Sequence, residues 1–232
     1  MAKKTYFVTG TDTGVGKTLV SAALLYAARR DGLRTLALKP IAAGCDDSSD
    51  GLRNEDALML QQAASEHLSY EQINPFALAP PIAPHVAAER AGVRLSAQRL
   101  AGFCRGVMSK PGDLCLIEGA GGWRVPLNDR ETYARLPQEL GLPVLLVVDL
   151  RLGCINHALL TAEAIRRDGL TLAGWFANRV GEPMAAEKET LTYLIQSLST
   201  PLLGDLPRLA SSDPERLATH ITSDAVAALV EK

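Results

Sequence analysis

Short, continuously apolar runs alternate along this chain with stretches whose apolar residues recur every three or four positions. The runs at 5–9, 34–39, 113–118, 143–149, 170–178 and 201–205 have strand length, and Val144-Leu145-Leu146-Val147-Val148 holds no polar residue at all. A strand that is apolar throughout is buried on both faces, as in a parallel sheet covered by helices. Helical periodicity falls near 18–30, 54–66, 96–109, 131–140, 156–168, 186–198 and 214–230. Strand and helix in turn predict an α/β fold, a doubly wound and mostly parallel sheet of about six or seven strands. Residues 40–95 are the least regular, with the polar run Asp46-Asp47-Ser48-Ser49-Asp50-Gly51 and a proline-rich segment from Pro75 to Pro84. We read them as long surface excursions, because the strand pattern resumes afterwards, and we read 1–232 as one domain.

Composition narrows the class. A chain of 232 residues with 47% hydrophobic content can bury one sizeable α/β core. A formal net charge of -2 supplies no basic field for nucleic acid or acidic lipid. Cys45, Cys104, Cys115 and Cys154 form no C-x-x-C pair and sit near no histidine at metal-site spacing, so reduced, mostly buried thiols are expected. The basic start Met1-Ala2-Lys3-Lys4 precedes an apolar run too short for a signal peptide or an anchor, so a cytoplasmic protein is expected.

The candidate chemistry lies where strands end, since parallel α/β sheets bind ligands beyond the carboxyl ends of their strands. After the first strand comes Gly10-Thr11-Asp12-Thr13-Gly14-Val15-Gly16-Lys17-Thr18, then a helical pattern. Strand, glycine-rich loop, Gly-Lys-Thr and helix make the P-loop arrangement, in which inward-turned N–H groups and a helix N-terminus hold phosphate. Lys17 can reach the β/γ-phosphates and the Thr18 hydroxyl can ligate Mg²⁺. The usual first glycine position holds Thr11, and Gly10 sits one residue early, which makes the loop one residue longer than the common form.

The other strand ends extend this. Lys39, closing the second strand, can hold a phosphate or a developing anion. Glu118, followed by Gly119-Ala120-Gly121-Gly122, resembles the second acidic element that holds Mg²⁺ in P-loop proteins. Asp56 and Glu55 both open a helical pattern, and spacing alone does not choose between them. Beyond Asp149, the segment Leu152-Gly153-Cys154-Ile155-Asn156-His157 opens a helix whose amides can bind a carboxylate, with Asn156 also an N-cap candidate and His157 a packed or capping side chain. Asn178 offers a donor and an acceptor to an adenine edge, and the loop with Pro207, Arg208 and Leu209 can complete a purine pocket.

Taken together, these motifs resemble the dethiobiotin synthetase family. The resemblance is carried by residues 8–18 (VTGTDTGVGKT), 38–40 (LKP), 51–54 (GLRN) with Asp56, 118–123 (EGAGGW), 152–158 (LGCINHA), 169–175 (GLTLAGW), Ala177-Asn178 and 201–204 (PLLG), in family order along nearly the whole chain. It implies an ATP- and Mg²⁺-dependent closure of the ureido ring of dethiobiotin from 7,8-diaminononanoate and CO₂, through a carbamate and a carbamic-phosphoric anhydride, with release of ADP and phosphate. On that basis Lys39 and Lys17 are the catalytic pair, Lys39 stabilising the carbamate and Lys17 the transferring phosphoryl group. Thr18, Asp56 and Glu118 would hold Mg²⁺, which selects Asp56 over Glu55. Thr13, Gly14, Val15, Gly16 and Leu19 would complete the phosphate cradle, with Gly119, Ala120 and Gly121 beside it. Asn178, Arg179, the 207–209 loop and Glu215 would take the adenine and ribose. Ala43 and Gly121 would face the substrate. The resemblance also implies a homodimer in which Gly153, Cys154, Ile155 and Asn156 of the partner subunit bind the substrate's carboxylate.

One departure from the family pattern is plain: before Gly44, where the family usually carries Ser or Thr, this chain has Ala43. The alternative is an ATPase switch of the MinD/ParA kind. Its extra lysine early in the P-loop is missing from Gly10-Thr11-Asp12-Thr13, and no basic amphipathic helix closes the chain.

Overall fold

The computed structural model describes residues 3–231; Met1 and Ala2 of the basic start lie outside them. The elements run β1 (Lys4–Gly10), α1 (Lys17–Arg30), β2 (Thr35–Leu38), β3 (Ile41–Ala43), β4 (Asp46–Ser48), β5 (Gly51–Arg53), α2 (Glu55–Ala63), α3 (Tyr70–Ile73), β6 (Phe76–Leu78), α4 (Pro84–Arg90) and α5 (Ala97–Met108). Then follow β7 (Leu114–Glu118), α6 (Arg135–Leu140), β8 (Val144–Asp149), α7 (Cys154–Arg167), β9 (Leu172–Asn178), α8 (Glu187–Leu198), β10 (Leu202–Asp205), α9 (Pro214–Ala218) and α10 (Ser223–Val230).

Six strands pair in the order β10-β9-β8-β1-β7-β2, all parallel. Every residue of β8 is buried, as its unbroken apolar run requires. Along β1 the side chains alternate between two cores. Tyr6 and Val8 belong to one core with Leu24 of α1, Leu217 of α9 and Val226 of α10, whereas Phe7 belongs to the other with Leu100 of α5, Ala162 of α7 and Leu194 of α8. The chain leaves β1 for the edge strand β2, returns to β7 between them, then crosses to β8 on the far side of β1. The strand order thus reverses around β1, and a ligand crevice belongs at the carboxyl end of such a reversal.

The irregular region is more ordered than its composition suggested. The acidic run folds as a hairpin of β4 and β5, turned by Ser49 and Asp50 with Gly51 at φ 95. Ile41–Ala43 and Phe76–Leu78 pair in parallel as a second small sheet. Pro84, with no N–H to lose, starts α4 at its first turn. The helix expected over 131–140 begins only at Arg135, because the chain before it is held by a bridge between Pro126 and Thr132. The helix expected over 214–230 is two, since the Thr222 hydroxyl caps the Ala225 N–H and restarts the chain as α10. The four cysteines are free and buried, with burial pushing the Cys104 and Cys115 thiols up to about 12. Among the described residues no helix is long and apolar enough to cross a membrane.

Candidate active site

The loop between β1 and α1 wraps around a backbone that glycine alone adopts cheaply. Gly14 and Gly16 have φ 76 and 85, in the left-handed region. A Cβ on Gly16 would also run into the side-chain amide of Asn178. That amide, at the end of β9, donates to the Val15 carbonyl at 2.9 Å and pins the loop from the far side of the sheet. Gly16 supplies no side-chain cap, and the first turn of α1 holds no acid. The N–H groups at the start of α1 are therefore left for an external anion. Lys17 lies back along the loop, its Nζ donating to the Asp12 carbonyl at 3.0 Å. Asp12 itself turns away, accepting from the Thr13 N–H at 2.8 Å and pairing with Arg151 at 3.0 Å.

Beside the loop lies a charge cluster that is buried except at Asp56, which is half-exposed. Glu118 ends β7 and is fully inaccessible, in register with Val8 of β1. Its Oε1 accepts from the Lys39 Nζ at 2.5 Å and from the Thr18 Oγ1 at 2.8 Å. The Lys39 ammonium, just past the end of β2, also bonds Asp56 Oδ2 at 3.0 Å and the Gly119 carbonyl at 3.4 Å. Glu55 points into solvent, so the geometry separates the two acids that spacing left equal. The other carboxylate oxygen, Glu118 Oε2, is buried with no partner. A buried acceptor left unmade is costly, and a bound cation is one thing that would satisfy it.

The charges set one another's protonation. Burial and the neighbouring Lys39 charge lower Lys17 to about 8. Burial also works against the Lys39 ammonium, but the negative charges of Glu118 and Asp56 overcome it and hold Lys39 above the ordinary lysine value. The carboxyl of Asp56 is likewise opposed by burial and held below its ordinary range by Lys39.

A cavity of about 780 Å³ opens over this cluster. Of the residues singled out in the sequence, Thr13, Gly14 and Gly16 line it from the loop, Lys17, Thr18 and Leu19 from the start of α1, and Lys39, Ala43, Asp56, Ala120 and Gly121 from the other elements. Val15, Glu118 and Gly119 are buried behind its wall. Asn178, Arg179 and the 207–209 loop stand at the neighbouring strand ends, outside the cavity; Arg179 is tied to Glu187 at 2.7 Å and Asp205 at 2.6 Å, and Arg208 to Glu182 at 2.7 Å. Glu215 is exposed on α9. The start of α7 is also outside: Gly153 and Asn156 are exposed, Ile155 is half-buried and Cys154 is buried. Gly153, not Asn156, holds the N-cap position there, and His157 is exposed rather than packed.

The cavity also has apolar lining that the sequence pattern does not announce. Ile41, Met59, Val125 and the stretch from Pro81 to Pro84 give the cavity an apolar side. Pattern alone hid them, because a proline run between elements reads as a surface loop. The usable signal was Pro84 as the first residue of a helix, which turns the preceding segment back over the sheet.

The family model described as an AAA domain matches residues 4–216. The ATP-dependent dethiobiotin synthetase BioD of Marinobacter nauticus is 65% identical over 214 residues, covering 92% of this chain and 92% of the relative. The protein of the same name from Cellvibrio japonicus is 55% identical over 221 residues, covering 95% and 96%. A solved structure of a ParA family ATPase from Chlorobium tepidum superposes with a TM-score of 0.57 at 13% identity, over 100% of this chain and 93% of that one; it is similar in fold.

Proposed function

Since the chain belongs to the ATP-dependent dethiobiotin synthetases, we propose that the cavity beside its P-loop closes the ureido ring of dethiobiotin from 7,8-diaminononanoate and CO₂. The protein is an ATP-dependent ligase of biotin biosynthesis. The observation that carries the site assignment is the Lys39–Glu118–Asp56–Thr18 cluster, packed against the uncapped start of α1 and facing an apolar wall.

Each half of that cavity has its own task. The start of α1, with Gly14, Gly16 and Lys17, holds phosphate oxygens, while Asn178, Arg179, the 207–209 loop and Glu215 flank the nucleoside. Lys39 answers a charge problem. A carbamate on the substrate amine is an anion, and its oxygen must approach the anionic γ-phosphate. An ammonium kept charged by two carboxylates, and itself buried, offsets that repulsion. Ile41, Met59 and Val125 suit the aliphatic backbone of a nine-carbon diamine, and Ala43 and Gly121 border it.

The residues present fit a magnesium ion. Among the described residues no three His, Cys, Asp or Glu side chains converge, but the donors are all hard oxygens: Thr18 Oγ1, Asp56, and Glu118 with its unpartnered Oε2. Such a sparse set suits an ion that keeps waters and takes phosphate oxygens. Thr18, Asp56 and Glu118 would hold it, and its charge would neutralise the transferring phosphate.

The substrate's distal carboxylate is assigned to the Gly153–Asn156 start of α7 in a partner subunit of a homodimer. What supports a shared site is that this helix start lies outside its own chain's cavity, with Leu152 91% exposed beside it and Leu160 exposed on the same helix. The same proposal takes 1–232 as one dethiobiotin synthetase-like domain acting in the cytoplasm.

The test is phosphate release from ATP with and without 7,8-diaminononanoate and bicarbonate. Release should depend on the diamine, and dethiobiotin should appear by mass spectrometry. Release independent of the diamine, with no dethiobiotin, overturns the proposal.

A further inference from the structure

Lys39 sits at the end of an edge strand. Among the described residues β2 pairs with β7 alone, so nothing in the sheet receives the outward backbone groups of the residue that follows it. A buried carbonyl must find a donor elsewhere. Here the segment around α3 supplies it. The Lys39 N–H bonds the Ile73 carbonyl at 2.9 Å, and the Asn74 side chain donates from Nδ2 to the Lys39 carbonyl at 2.7 Å.

The chain of bonds continues. The Tyr70 hydroxyl donates to Asn74 Oδ1 at 3.0 Å and accepts from the backbone N–H of Asn54 at 2.8 Å. Asn54 is the N-cap of α2, its side chain accepting from the Ala57 N–H, and Asp56 stands two residues further on. A relay therefore runs from the backbone of Lys39, through Asn74 and Tyr70, to the start of the helix that carries Asp56. Its three side chains are buried, and the two partners of Asn74 fix which end of its amide is which. The Arg53 guanidinium, 4.1 Å over the Tyr70 ring, covers the relay from outside.

Packing strength alone does not call for this design, since apolar side chains would join two elements at lower desolvation cost. A hydrogen-bonded relay does something apolar contact does not: it sets distance and direction. Resting on the assignment of Lys39 to the reacting centre, we propose that Tyr70 and Asn74 are positioning residues. They hold the Lys39 backbone and the α2 start in one register, so that the ammonium lies between Asp56 and Glu118. Neither residue lines the cavity. Both act through Lys39 and Asp56.

The test uses the full-length protein with Tyr70→Phe and Asn74→Ala. Misplacing a reacting group slightly is costly, so kcat should fall about 10-fold for Tyr70→Phe and about 100-fold for Asn74→Ala. ADP affinity, read by calorimetry without diamine, should stay within about twofold, because α1 and its loop are untouched. A second readout is independent of turnover: acetylation of lysines by acetic anhydride, followed by peptide mass spectrometry. Lys39 labelling should rise several-fold in both variants relative to Lys17. A kcat within about twofold of the parent overturns the proposal, as does a loss of kcat matched by an equal loss of ADP affinity, which marks general damage. If Asn74→Ala does not fold, Tyr70→Phe decides alone, since it keeps the ring beneath Arg53. Full turnover in Lys39→Gln would sink the site assignment instead, and the labelling result would still judge the relay.

Discussion

Two helices of the same length begin in the same way and end up with different work. α1 and α7 both have 14 residues, both start from a left-handed glycine without a side-chain cap, and neither carries an acid in its first turn. Each thus presents free N–H groups and a positive dipole end. At α1 the next residues, Lys17 and Thr18, are buried against Glu118 and open onto the cavity. At α7 Gly153 is exposed, and the charges beside it are those of Arg151 with Asp12 and Asp149. The Arg151–Asp12 pair at 3.0 Å links the two starts directly. On the proposed site assignment, the contrast teaches that a helix start becomes a reaction centre through the charges around it. One start has them within its own chain; the other, on the homodimer proposal, gains its role by facing a second copy.

The largest expected effect comes from stripping the α1 side of its distinguishing charge. Lys39→Gln should reduce turnover about 1,000-fold, the loss found when a single donor to a developing anion is removed. ADP affinity should hardly move, because the amides and Lys17 remain. Steady-state kinetics with calorimetry on the same preparation decide it, and intact turnover would make Lys39 a bystander. Asp56→Asn comes next. It removes one proposed magnesium ligand and half of the pairing that keeps Lys39 charged. The Mg²⁺ concentration for half-maximal turnover should rise about 100-fold, at the upper end of what disturbed metal sites lose. An unchanged Mg²⁺ requirement would remove Asp56 from the ligand set.

Much of this contrast could be read in the chain before folding. Unbroken apolar runs place β1, β7, β8 and β9 because burial on both faces leaves no other choice for them, and the glycines at 14 and 16 mark a backbone that side chains disfavour. Once those strands are parallel, Lys17, Lys39, Glu118 and Asn178 must share one edge. Local pattern carried less where side chains answer to tertiary partners. Asp56 was indistinguishable from Glu55 because the choice depends on Lys39, seventeen positions earlier and on another element. Asn156 resembled an N-cap, yet the helix starts at Gly153, whose left-handed backbone ends the preceding turn. The apolar wall from Pro81 to Pro84 stayed hidden because its residues are apolar without period.

The α7 side is sharpened by Leu152→Asp. Leu152 is 91% exposed within one chain, so the substitution should leave folding untouched. In a homodimer it would place a charge in a desolvated contact. The variant should sediment as a monomer, and the KM for the diamine should rise about 10-fold while nucleotide affinity holds, the signature of lost ground-state binding at one end of a substrate. A monomer with an unchanged KM would show that the two helix starts do not share a substrate.

The smallest effect tests how complete the α1 side is. Ala43 stands at the end of β3, lines the cavity, and fills a position where relatives were expected to carry a hydroxyl. Its neighbour Gly44 is held left-handed at φ 77, with the Pro81 Cβ 3.2 Å from where a Cβ would sit, so the backbone here is fixed rather than adaptable. A serine at 43 adds one oxygen to a half-buried alanine and should fit without displacing that backbone. If the hydroxyl meets the reacting amine or carbamate, one hydrogen bond contributes about 1 kcal/mol, or about fivefold in kcat/KM for the diamine. ATP affinity should not change, because the loop and the start of α1 are untouched. No gain in Ala43→Ser would mean that the site already supplies that bond, and the α1 side would then be complete with the residues it has.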